Sequence, residues 1–280
     1  MQKFGIDISK WNGVNFSFDK AVDEGVEFVV LRGAYSCTKD TLFETYYKKA
    51  KAKKLPVGVY QYSMAQTVVA AEAEAEYLYK NVLKGKQFEL PIYIDVEDKT
   101  QFALSQSTLT MIVKAWCDYL EKKGYYVGIY SSPGAFKYQM DDNQLKNYTH
   151  WLAQWNYRCS YTGVIDMWQF GGDTNKLRPN TVAGGVTDQD FMYKDFPTII
   201  KKMKLNGFGK APAVQETEYF EKADYSGTSF VEGLRSIGAN SDFAYRKTIA
   251  KANGIKLYVG TAAQNTALLK KLRQGSLVKP

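Results

Sequence analysis

A chain of 280 residues, 45% hydrophobic and 24% charged, has the composition of an ordinary globular protein, with room for one large domain and a small one. No apolar run reaches the roughly 18 residues of a membrane span, so no membrane insertion is expected, and the start "MQKFGIDISKWNG" lacks the basic and apolar segments of a secretory signal, which points to synthesis in the cytoplasm. With 37 Lys and Arg against 29 Asp and Glu, the net charge of +8 implies a polyanionic partner, either nucleic acid or an anionic polymer of a bacterial wall.

From the N-terminus to about residue 200, short β-rich runs alternate with helical patterns. Strands are expected at 3–8, 26–35, 56–63, 90–97, 125–132, 150–156 and 165–171, and helices at 17–25, 41–54, 67–84, 106–123 and 196–204. Five βα units in succession predict parallel strands joined by crossover helices. The strands are short and apolar, as in a sheet covered by helices. Polar residues gather near strand ends: Asp7, Arg32, Tyr62, Asp95, Glu97, Tyr130 and Gln154. That placement favours a β/α barrel, whose active sites lie at the strand ends, over an open sheet. Helices of ordinary length are missing between the later strands, so the barrel is expected to be irregular in its last third.

The catalytic barrel is assigned to residues 1–206, and the Gly-, Pro- and polar-rich stretch at 207–216 reads as a linker. Residues 217–280 show three helical patterns that Gly238, Gly254 and Gly275 would stop. This segment has ten Lys or Arg, more than its acids, and no cluster of chemistry-bearing side chains. It fits a small, mainly helical targeting module better than a second enzyme.

The stretch "LPIYIDVED" carries the chemistry. On a strand, alternate side chains share a face, so Asp95 and Glu97 would project side by side. Two such acids raise the cost of ionising both, and one keeps its proton. For an isolated D-x-E, a solvated loop is the commoner reading. Elimination shifts the balance. His150 is the only histidine, so the two or three nitrogen ligands of a zinc amidase cannot be supplied. The cysteines Cys37, Cys117 and Cys159 are odd in number and widely spaced, and Cys159 lacks the surroundings of an activated thiolate. No phosphate-binding glycine loop is present, nor an RNA-recognition motif that would turn the charge into nucleic-acid binding. Carboxylates remain: Asp7, Asp95, Glu97 and Asp188 in "VTDQDF". Glycoside hydrolysis needs such a set, one acid protonated and one ionised, and magnesium binding by Asp95 and Glu97 is the chemical rival. Trp11, Tyr60, Tyr62, Tyr130, Trp151, Trp155 and Trp168 recur near strand ends, where each could stack on a sugar or simply fill the core.

The motifs "GIDISKWNG", "VGVYQYS", "AEAEAEYLY", "YIDVED", "YVGIYSS", "WLAQW", "MWQF" and "VTDQDF" resemble, in order and across residues 4 to about 200, those of family 25 glycoside hydrolases, the muramidase-type lysozymes of phage endolysins and bacterial autolysins. The resemblance implies an irregular β/α barrel that cuts the β-1,4 bond from N-acetylmuramic acid to N-acetylglucosamine and needs no cofactor or metal. It places Glu97 as general acid and Asp95 as the carboxylate supporting the reacting sugar, ionised beside a protonated Glu97. Asp7 and Asp188 match flanking acids. Tyr62 and Tyr130 match site-lining tyrosines, and Trp168, Gln154 and Arg32 are expected to contact substrate. Gln61 and Arg32 stand where many members have His and Lys, departures expected at the rim of the site. The C-terminal segment is similar to a short module of other peptidoglycan hydrolases, implying that it binds the wall. The expected partner is peptidoglycan, with an anionic wall polymer in addition, and the expected setting is an endolysin held in the host cytoplasm. An autolysin of the same activity, or a silent wall-glycan lectin, is the alternative.

Overall fold

The β-branched and aromatic runs close into a barrel. In a computed structural model of the chain, residues 2–209, 218–255 and 257–280 are described. The strands are β1 (Lys3–Ile8), β2 (Phe28–Tyr35), β3 (Thr38–Lys39), β4 (Val57–Tyr62), β5 (Ile92–Asp95), β6 (Val127–Ser131), β7 (Thr149–Ala153), β8 (Met167–Gly171), β9 (Thr181–Val182), β10 (Gly185–Val186) and β11 (Asp188–Met192). Eight of them form a ring in the order β1, β2, β4, β5, β6, β7, β8, β11, and β11 pairs back onto β1. β3 lies outside the ring against β2, while β9 and β10 form a separate hairpin. From β1 to β8 the ring is parallel, and β11 is antiparallel to both its neighbours. The expected irregularity is thus located: no helix links β8 to β11, and an antiparallel neighbour needs no crossover.

The helices around the ring are α1 (Phe18–Asp23), α2 (Phe43–Ala52), α3 (Val68–Leu78), α4 (Lys99–Phe102), α5 (Gln106–Lys122), α6 (Asp142–Leu145) and α7 (Phe196–Met203). The helix expected over 67–84 is α3 followed by a wider turn at Tyr79–Leu83. In α5 the buried residues Leu109, Ile112, Val113, Trp116, Cys117 and Leu120 recur at helical spacing and form one apolar stripe. Ser105 starts the helix by accepting the backbone N–H of Thr108.

Two apolar layers follow from the alternation of strand side chains. Outward residues such as Ile92, Ile94, Val96, Leu152 and Phe170 pack under the helices, and inward residues Phe28, Val30, Tyr93, Trp151, Met167 and Met192 fill the barrel. The inner layer therefore supports whatever lies at the mouth. The alternation expected for "IYIDVE" is present: Ile92, Ile94 and Val96 face the helices, Tyr93 the interior.

The chain divides into two compact units, Met1–Pro212 and Ala213–Pro280. Most of the linker expected at 207–216 lies outside the described residues. The second unit contains α8 (Phe230–Ser236), α9 (Phe243–Ala252) and α10 (Ala262–Arg273). Its own core joins Phe220, Phe230, Leu234, Ile249, Leu268, Leu269, Leu272 and Leu277. Gly238, Gly254 and Gly275 follow the three helices with φ of +68°, +86° and +68°. The next N–H in each case, from Ala239, Ile255 and Ser276, donates back to Leu234, Ala250 and Lys271, closing the helix end as expected.

Candidate active site

At the carboxyl ends of the parallel strands the ring opens into a cleft of about 440 Å³, lined by Asp7, Ser9, Trp11, Asn12, Arg32, Tyr60, Tyr62, Asp95, Glu97, Tyr130, Trp151, Gln169, Asp173, Val186, Thr187 and Asp188. Seven of the expected site residues meet there. Asp7 comes from β1, opposite Asp188 of the antiparallel β11. Arg32 comes from β2, Tyr62 from β4, Asp95 from the last position of β5 and Tyr130 from β6, while Glu97 lies two residues beyond the end of β5.

Hydrogen bonds hold these side chains in place. The Arg32 guanidinium pairs with Asp40 at 2.9 Å, which also accepts the Lys10 N–H. The Tyr62 hydroxyl donates to Asp98 at 3.2 Å, and its ring stacks on Tyr35 at 4.9 Å. Gln169 is a hub: its Nε2 donates to Asp7 at 2.8 Å, and its Oε1 accepts from Tyr130 at 2.9 Å and from Trp155 Nε1 at 3.0 Å. Trp151 forms the floor, its ring 4.5 Å from that of Tyr130 and 5.0 Å from that of Tyr93.

Three expectations are corrected by this geometry. Trp168 alternates with Gln169 on β8 and so faces outward, packed on Phe170 with its indole N–H on the Gln154 carbonyl. It is not in the cleft. Gln154 lies just past β7, and its amide is engaged with Ser160 rather than with the cleft. Gln61, expected at the rim, is fully buried on the helix side of β4, where it accepts the Trp116 indole N–H at 2.7 Å. Conversely, Gln169, Asp173 and the fully buried Asp190 behind the cleft were not among the expected residues. "VTDQD" has the same i, i+2 acid spacing as "IDVE", and that spacing was the available signal.

Comparison with known proteins decides the family. The sequence profile for "Glycosyl hydrolases family 25" matches residues 6–177, more than half of the chain. The chain belongs to glycosyl hydrolase family 25. A search of curated proteins gave no match. Among solved structures, the CTP1L endolysin superposes with a TM-score of 0.60 at 19% identity, over 72% of this chain and 69% of that one. The bacterial lysozyme from Streptomyces coelicolor gives 0.60 at 18% identity, over 74% and 98%. The modular autolysin LytC from Streptococcus pneumoniae gives 0.59 at 23% identity, over 69% of this chain but only 47% of that one. At these identities the likeness is one of fold.

In the cleft, Asp7, Asp95, Glu97 and Asp188 are all pushed above the ordinary carboxylate range. Burial pushes the Asp95 carboxyl well above its ordinary range; Glu97 adds to this and Arg32 opposes it. Glu97 is raised as well, by surrounding protein and then by Asp98, although its side chain remains open to solvent at the rim. Both members of the pair are pushed towards the protonated form, Asp95, which is 3% exposed, chiefly by burial. Desolvation penalises the anion where water is excluded, so the free pair favours keeping a proton.

Asp7 is likewise raised well above its usual range, by burial and then by Asp190 and Asp188. Asp188 is pushed up to about 6 by burial, Asp173 and Glu97. A carboxyl raised in the folded state binds its proton more tightly there than in the unfolded chain. Its contribution to stability is full below the ordinary aspartate value of 3.8 and is lost as pH rises through about 6. Asp188→Asn should therefore melt higher than the natural chain at pH 7.5, by ~2–4 °C for each kcal/mol recovered, and lose that advantage at pH 4. Calorimetry at the two pH values reads this directly.

Gly172 shows how tightly the far wall is built. A Cβ there would come within 2.6 Å of the Trp155 ring and closer still to Asp188 Oδ1. Gly172→Ala should displace both side chains and lower activity at least tenfold while the melting temperature falls little. Undiminished activity in that variant would separate the Asp188 wall from the reaction.

Proposed function

We propose that the protein is an N-acetylmuramidase that hydrolyses the β-1,4 bond from N-acetylmuramic acid to N-acetylglucosamine in bacterial peptidoglycan. The observation that carries this reading is the state of Asp95. It is buried at the cleft floor beside Glu97, and its Oδ1 has no hydrogen-bond partner within the protein. A buried carboxyl oxygen without a donor is costly unless a ligand supplies one. The 2-acetamido N–H of an N-acetylated sugar is such a donor, and its hydrogen bond would favour the ionised form of Asp95. Binding of substrate would thus favour Asp95 as the anion and leave Glu97 as the acid.

Glu97, at the solvent-facing rim, gives its proton to the departing glycosidic oxygen. Asp95 orients and polarises the acetamido group, whose carbonyl oxygen attacks the anomeric carbon in place of a protein nucleophile. Glu97, now ionised, then activates the water that opens the cyclic intermediate. Arg32, Tyr62 and Tyr130 line the cleft around the reacting sugar, and the exposed Trp11 at its edge offers an apolar face to a neighbouring ring. Purified cell walls should lose turbidity on addition of the protein, at the same rate with or without EDTA. A strict requirement for magnesium would favour the rival reading of Asp95 and Glu97 as metal ligands.

The second unit is read as a wall-binding module, which suits an endolysin and an autolysin alike. Its basic residues suit an anionic wall polymer, and its separate core suits independent folding. Tethering raises the local concentration of an enzyme on an insoluble substrate. A shortened chain ending at Pro212 should therefore lyse whole cells more slowly and cleave soluble wall fragments at an undiminished rate. Equal lysis by both forms would remove the targeting role.

A further inference from the structure

Asp190 is fully buried on β11, does not line the cleft, and has no role in the chemistry described above. Its two carboxyl oxygens meet different groups. Oδ1 accepts the indole N–H of Trp151 at 2.8 Å. Oδ2 meets no N–H or hydroxyl donor, and Asp7, which lies opposite Asp188 in the antiparallel β1–β11 pair, is the diagonal neighbour of Asp190 on the same face, near enough for the two carboxyls to interact. We propose that Asp190 is the positioning residue of this active site, holding the Trp151 floor with one oxygen and the Asp7 carboxyl with the other.

Two buried carboxyls in contact cannot both be anions at acceptable cost, so the pair shares a proton. The surroundings decide where it sits. Asp190 already receives the Trp151 N–H, a donor that favours its anion. One oxygen of Asp7 receives Gln169 Nε2 at 2.8 Å, leaving the other to carry the proton and donate it to Asp190 Oδ2. The remaining groups facing the pair do not change this assignment. Asp188 adds negative charge to both members. Tyr60, Tyr130 and Tyr93 face them as neutral phenols with burial-raised pKa values. Arg32, the cation lining the cleft, is committed to Asp40.

Asp7 is then a neutral hydrogen-bond donor in the cleft, which spares the Asp95, Glu97 and Asp188 cluster one further negative charge. The same buried anion fixes the ring on which Tyr60, Tyr93 and Tyr130 pack. Both effects bear on the site proposed for glycan hydrolysis, and the functional meaning of the inference rests on that reading.

The test is a carboxyl ¹³C NMR titration of the full chain labelled at aspartate, with the Asp7 signal assigned by its loss in Asp7→Asn. Asp7 should keep its proton well above the ordinary carboxylate range. In Asp190→Asn the amide N–H would donate to Asp7 and the buried charge would be gone, so Asp7 should titrate at least one pH unit lower. A purely structural role for Asp190 would change melting temperature without that shift. Titration of Asp7 in the ordinary range near 4 in the natural chain, or an unmoved Asp7 in Asp190→Asn, overturns the proposal. If Asp190→Asn does not fold, Trp151→Phe removes the donor that holds Asp190 as the anion, so Asp7 should give up its proton at lower pH there, and an unmoved Asp7 overturns the proposal. The measurement needs no substrate, so failure of wall hydrolysis would count against the muramidase reading and leave this result standing.

Discussion

Glu97→Gln should lower the rate of wall hydrolysis by about 10²- to 10⁴-fold, the usual worth of a positioned general acid, while leaving the fold intact. The side chain stands beyond the last residue of β5 and remains open to solvent, so exchanging its carboxyl for an amide breaks no buried contact. Its carboxyl is raised by surrounding protein and by Asp98, which keeps a proton available closer to neutrality than an ordinary glutamate would. The amide fills the same space and has no proton to give. The loss should therefore fall on kcat, with little change in KM, because the interaction removed is made only as the glycosidic bond breaks. The fall in rate as Glu97 loses its proton at higher pH should disappear in the variant. Near-natural activity in a folded Glu97→Gln chain would end the assignment.

Asp95→Asn should be impaired to a similar degree, by about 10²- to 10³-fold, the cost of removing one preorganised electrostatic contact to the transition state. The reason differs. Asp95 is buried with an oxygen that no protein donor satisfies, and in the proposed mechanism the substrate's acetamido N–H supplies that donor and favours the anion. An asparagine presents the acetamido group with a neutral carbonyl or with a second N–H, and neither stabilises the positive charge that grows on the cyclising group. Removing a buried carboxyl whose pKa is raised should also increase stability at neutral pH, since the folded chain no longer carries a desolvated acid. Opposite signs for activity and melting temperature are the signature expected of this variant. Loss of both together would instead mark Asp95 as a structural residue.

The legible parts of the sequence were those where a short-range pattern has one structural solution. "LPIYIDVED" combines an apolar strand with acids at i, i+2, and period two puts Ile92, Ile94 and Val96 under the helices while Asp95 and Glu97 reach the mouth. The βα alternation similarly leaves few choices for strands β1 to β8. The closing strand was not legible as a strand, because Asp188, Gln189 and Asp190 give "DQDFM" a low β propensity that only pairing with β1 and β8 overcomes. Missing that strand concealed Asp190, although its spacing from Asp188 repeats the pattern of Asp95 and Glu97. Trp168 was misplaced by one position: on β8 a shift of one residue exchanges the faces, and Gln169 is the residue that looks inward. Gln154 and Gln61 failed for a different reason. Whether an amide serves a ligand or the fold depends on its partners: Trp116 is distant in sequence from Gln61, and Ser160, near Gln154, lies in an irregular segment whose course no periodic pattern specifies.

The measurement that bears most directly on the muramidase reading is the identity of the reducing end released from purified peptidoglycan. Products of the full chain, reduced with borohydride and resolved by mass spectrometry, should end in N-acetylmuramitol, because cleavage by Glu97 and Asp95 frees the anomeric carbon of N-acetylmuramic acid. Fragments ending in N-acetylglucosaminitol, or free amino groups without new reducing sugar, would contradict the account.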